Sequence, residues 1–169
     1  VPLLLASVAA VITSYFFRGT DVLFSFELLD AWRVKDIIFY VFLGVATGIA
    51  SVYFSKMYFL ITRFFGWFSN AYVKIGIAAL AIGLMLYLFP PLYGEGYGLI
   101  NNLLNGNTEA ALSGIQYQID FNNIWMVIVI LLIIAVFKAI AMTTTFAAGG
   151  VGGIFIPTLF MGSALGNAV

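Results

Sequence analysis

Residues 123–169 read NIWMVIVILLIIAVFKAIAMTTTFAAGGVGGIFIPTLFMGSALGNAV, and this stretch decides the fold. From Asn123 to Phe146 the chain is apolar apart from Lys138 and a few threonines. Four glycines follow in the seven residues 147–153, and a new apolar run continues from Ile154 to Val169. No polar loop in between could sit in water. The spacing therefore predicts one helix over 123–146, a tight glycine turn, and a second helix over 154–169 that starts while still at membrane depth. Irregular backbone at that depth is tolerated only beside protein or a water-filled cavity. A discontinuous helix pair of this kind is a pointer to a substrate site.

The rest of the chain agrees with a membrane setting. Of 169 residues, 63% are hydrophobic and only 8% charged, with mean hydropathy +1.10. A soluble domain is near half apolar and a quarter charged, and so short a chain cannot enclose this much apolar surface in water. Further spans are predicted over 1–17, 37–65 and 73–89, which makes an all-α, multi-span helical bundle. The 37–65 run would be roughly 43 Å long and must tilt or protrude. Residues 18–36 carry half of all the charge and read as an interfacial loop, with Phe24, Phe26 and Trp32 as headgroup anchors. Pro90-Pro91 stops the third span, and a glycine-rich segment, Tyr93-Gly-Glu-Gly-Tyr-Gly98, leads into a short amphipathic run over 99–104. That segment lacks the preceding strand and the Lys-Ser/Thr of a phosphate cradle, so it is not read as a nucleotide loop. Val1 is not Met, and Val169 lies within an apolar run, so both ends are expected to be cuts in a longer polypeptide.

Composition removes whole classes of function. Without Cys or His, thiolate zinc sites, cysteine nucleophiles and the usual general base are all excluded. No Asp or Glu lies within the predicted spans, so there is no carboxylate set for a cation or a proton relay. The chain is read as not an enzyme, with no cofactor. A net charge of zero argues against nucleic acid as a partner.

What remains is the start of the last helix. Gly152 and Gly153 have no Cβ, so an ion could approach the backbone there. Pro157 is suited to a first turn, where the donor it lacks would be unpaired anyway. The free N–H groups and the helix dipole make a partly positive end, and its preferred guest is an anion. Lys138, near the middle of its span, costs ~2.5–3.5 kcal/mol on insertion scales. It can add to a positive potential, or it can be tied to a carboxylate or to carbonyls of a neighbouring helix; the second is the expectation.

The motif Gly152-Gly153-Ile154-Phe155-Ile156-Pro157, with Phe160, Gly162, Ala164, Leu165 and Gly166 behind it, resembles the GxFxP signature of the CLC chloride channels and chloride/proton antiporters. Phe89–Gly98 looks like that family's glycine-rich segment, and Lys138 falls where members often carry Lys or Arg. The resemblance covers the chain as helices I to N of the family's inverted-repeat fold. It implies that the backbone amides of Ile154 and Phe155 bind chloride or a similar small anion, with Gly152, Gly153, Ile156 and Pro157 supporting the motif and the Phe155 ring lining the pore. It further implies a homodimeric, multi-pass protein of the lipid bilayer, expected in a bacterial inner (plasma) membrane, in which these helices work with the remaining helices of the parent chain. The family's serine motif, its GxEGP segment and its pore tyrosine are absent from these residues, so channel and antiporter are not distinguished. The competing reading is a membrane assembly or packing module without transport, for which the GxxxG pairs Gly44/Gly48 and Gly162/Gly166 speak.

Overall fold

The computed structural model of the chain describes residues 2–19, 33–115 and 119–168. The interfacial anchors Phe24, Phe26 and Trp32 lie outside the described residues. Those described form an all-α bundle without strands: α1 Pro2–Arg18, α2 Ile37–Gly66, α3 Ala71–Leu88, α4 Tyr97–Leu104, α5 Thr108–Leu112, α6 Ile124–Ala147 and α7 Phe155–Ala168. Single 3-10 turns stand before α2 (Val34–Asp36) and after α3 (Pro90–Leu92). Three helices, α2 with its preceding turn, α3 and α6, are long and apolar enough to cross a membrane.

Local chemistry fixes the helix starts. The Asn70 side chain accepts the Tyr72 N–H at 2.9 Å, so α3 begins at Ala71 rather than at the expected Val73. Asn107 caps α5 and Asn123 caps α6 in the same way. Each cap satisfies a first-turn donor that would have no partner inside its helix. Residues 108–112 form α5, whose Ala111 and Leu112 are buried.

The end of α6 is a full glycine cap. Gly149 adopts φ +100°, its N–H donates to the Phe146 carbonyl at 3.0 Å, and the Gly150 N–H donates to the Thr145 carbonyl at 2.9 Å. These two bonds close a Schellman motif, which turns the chain while satisfying the last helical carbonyls. A Cβ at Gly150 would fall within 2.8 Å of the Thr145 carbonyl oxygen, so the turn also needs glycine there for space.

α7 then runs back along α6, and it also touches α4 and α2. The far end of α7 and the start of α6 meet beside α5, where Gly106, Thr108, Ile124, Asn167 and Ala168 border one cavity. From that shared end α6 extends roughly 36 Å and α7 only about 21 Å, at 1.5 Å per residue. α7 alone is therefore too short to cross a ~30 Å hydrocarbon layer.

The core sits where the short helices cover this pair. Leu99, Ile100 and Leu103 of α4 pack with Leu112 of α5, Leu131 and Ile134 of α6, and Phe160 and Ala164 of α7. Gly44 and Gly48, expected at a close helix contact, face open space within the chain, as do Gly162 and Gly166.

Candidate functional site

The first helical bond of α7 runs from the Thr158 N–H to the Ile154 carbonyl at 3.1 Å. Ahead of it, the N–H groups of Ile154, Phe155 and Ile156 meet no acceptor among the described residues, and Pro157 has no N–H to offer. Three donors and the dipole of a four-turn helix thus converge on one end. Ile154 is half exposed, Phe155 more so.

That end opens on a cavity of about 400 Å³. Gly152 and Gly153 line it just ahead of α7, and Phe155, Ile156 and Pro157 from its first turn; Thr145 and Phe146 line it from the end of α6. Of the six residues singled out in the sequence, only Ile154 does not line the cavity. The glycines divide differently from expectation. Gly153 was expected to exclude a branched side chain, which would crowd the anion's approach and force a helix start needing a positive φ. Its φ lies outside the left-handed region, and a Cβ would meet nothing within 4 Å in this chain. Gly152 is the tighter of the two, with the Phe146 ring 3.0 Å from the position of a Cβ.

The opposite wall brings in two charged residues. Lys138, on α6, and Glu95, in the loop before α4, both line the cavity. Lys138 is 4% exposed, yet it makes no ion pair with a carboxylate among the described residues. Its ammonium donates to the Gly94 carbonyl at 2.8 Å and to the Leu92 carbonyl at 3.2 Å, and it lies 4.7 Å above the centroid of the Phe160 ring. The expectation of tethering to carbonyls therefore holds, although the carbonyls belong to the segment after α3 rather than to a helix. Glu95 is exposed, and its field reaches the Lys138 ammonium. No spacing in the sequence could bring residues 95 and 138 to one cavity; they share it because the loop before α4 is held to Lys138 through the Gly94 carbonyl. The close approach is at Gly96, whose φ is +86° and where a Cβ would run into the Phe160 ring.

Among the described residues, no three acidic, His or Cys side chains converge on a point that could hold a metal ion. Free N–H donors, one buried ammonium and an apolar wall suit a small anion instead.

The described residues thus form an all-α bundle with three helices long and apolar enough to cross a membrane and a final helix that starts on a glycine-rich stretch. The chain belongs to the voltage gated chloride channel family, whose family model matches residues 1–169. Among its relatives, a ClcB-like chloride channel protein of Ralstonia nicotianae is 27% identical over 172 residues, which covers 98% of this chain and 34% of that protein. The chloride channel protein CLC-f of Arabidopsis thaliana is 25% identical over 97% of this chain and 20% of its own length. The voltage-gated ClC-type chloride channel ClcB of Salmonella typhimurium is 23% identical, covering 98% of this chain and 36% of its own. The chain thus spans about a third or less of these relatives. No solved structure matches.

Proposed function

We propose that this chain is part of a transport subunit for chloride or a similar small anion, and that it supplies one wall of the ion's path. The anion accepts hydrogen bonds from the backbone N–H groups of Ile154 and Phe155 at the start of α7. The observation that carries this reading is the coincidence of unpaired first-turn donors with a 400 Å³ cavity that Phe155 and Ile156 line, next to Ile154. The names of the relatives, all chloride channels, agree with it. The subunit is an integral membrane protein, and we assign it to the plasma membrane of a bacterium, working as a homodimer.

Backbone ligands make an unusual demand on mutagenesis. Removing the Ile154 side chain leaves both donors in place, so Ile154→Ala retains transport. Gly153→Val, with a branched Cβ at a residue that lines the cavity beside the donors, stops it, although a Cβ there meets no neighbour within this chain. The test is chloride efflux from liposomes holding the intact protein. Efflux that survives Ile154→Ala and fails in Gly153→Val is expected. Efflux unaffected by Gly153→Val, or none from the unaltered protein, contradicts the reading.

A further inference from the structure

A buried lysine normally has a carboxylate against it, because taking a charge out of water is costly unless it is paired. Lys138 breaks that pattern. Two of its three ammonium hydrogens are taken by the Leu92 and Gly94 carbonyls, the Phe160 ring faces the group, and no acceptor for the third is found among the described residues. Carbonyl dipoles and a ring face hold an ammonium in place without cancelling its charge. The same side chain borders the cavity into which α7 presents its free donors.

We propose that Lys138 is the fixed positive charge of the anion cavity, a residue that sets anion affinity through its field rather than as a direct ligand. The inference rests on the reading of the α7 terminus as an anion site. The tether to the 92–94 segment is what makes the charge useful. An ammonium free to swing onto the anion would trap it, whereas conduction needs binding strong enough for entry and weak enough for exit. Held by two carbonyls, the charge attracts through the cavity and cannot follow its guest. Glu95, on the same lining, acts with the opposite sign and trims the attraction. Being exposed, it is screened more than the lysine.

The experiment is calorimetric titration of the purified intact protein with potassium bromide at constant ionic strength, comparing Lys138→Gln, Lys138→Arg and Glu95→Gln. Gln keeps a donor for the carbonyls and drops the charge; it raises the half-saturating bromide concentration roughly fivefold or more, while Arg stays within about twofold of the unaltered protein. Glu95→Gln moves the value the other way, roughly two- to threefold lower. A lysine that served only as a structural staple would alter the melting temperature of its variants and leave Glu95→Gln without effect on bromide. Should Lys138→Gln fail to fold, the direction of the Glu95→Gln shift decides. Bromide binding by the unaltered protein with half-saturation unmoved in every folded variant overturns the role of Lys138 alone. No bromide binding by the unaltered protein overturns the anion site and this inference with it.

Discussion

Gly96 and Gly153 are both glycines in glycine-rich stretches, and the fold treats them in opposite ways. At Gly96 a side chain would need φ +86° and would occupy the space of the Phe160 ring, itself fully buried. Gly96→Ala is expected to cost about 2–4 kcal/mol, the sum of a left-handed backbone penalty and an overpacked core. At Gly153 neither penalty exists, so Gly153→Ala changes stability by less than about 0.5 kcal/mol. Thermal unfolding of the two variants in detergent, monitored by circular dichroism, checks the contrast. The sequence marks both stretches as glycine-rich but cannot rank their members. Which glycine is indispensable depends on a ring 64 positions away, brought there by α7 folding back across α4. The same limit hid Glu95 as a cavity residue, since nothing local to the 93–98 segment points toward α6.

Helices were far more legible than side-chain neighbours, and for a physical reason. A span of membrane demands an unbroken apolar run of fixed minimum length, so α2, α3 and α6 stand out by composition alone. The first residues of α3 and α6 are set by single asparagines; Asn123 illustrates this, since its side chain accepts the Met126 N–H at 3.4 Å. Asn123→Ala is expected to lower stability by about 1 kcal/mol, and Asn123→Asp or Ser to restore most of it; the melting temperatures of the three variants test the cap. α5 escaped the sequence reading because five residues carry too little periodicity to distinguish a helix from a loop, and its burial against α4 is a tertiary effect. The break between α6 and α7 was legible as glycine content. Its form, a Schellman cap at Gly149 followed by a non-helical stretch to Ile154, depends on backbone angles that composition does not specify.

Taken whole, the chain cannot supply everything a dehydrated anion requires. Burying an unpaired ion costs tens of kcal/mol. Two charge-assisted hydrogen bonds return roughly 1.5–3 kcal/mol each, and one helix dipole adds at most ~2 kcal/mol. Donors from outside these residues must make up the difference, so liposomes holding residues 1–169 alone are expected to show no chloride efflux above protein-free vesicles. Orientation follows from charge. Lys56, Arg63 and Lys74 flank the 66–70 turn, whereas residues 90–123 hold no Lys or Arg. By the positive-inside tendency the turn is expected in the cytoplasm and the 90–123 segment outside. A cysteine placed at Asn107 in the intact protein then reacts with an impermeant reagent added outside, and one at Asn70 does not. The location of the ion itself is read most directly from anomalous scattering by bromide in crystals of the intact protein. A peak within hydrogen-bond reach of the Ile154 and Phe155 N–H groups, on the Lys138 side of the α7 terminus, is the expected result. Bromide bound elsewhere in the subunit, with none beside residues 152–157, would contradict it.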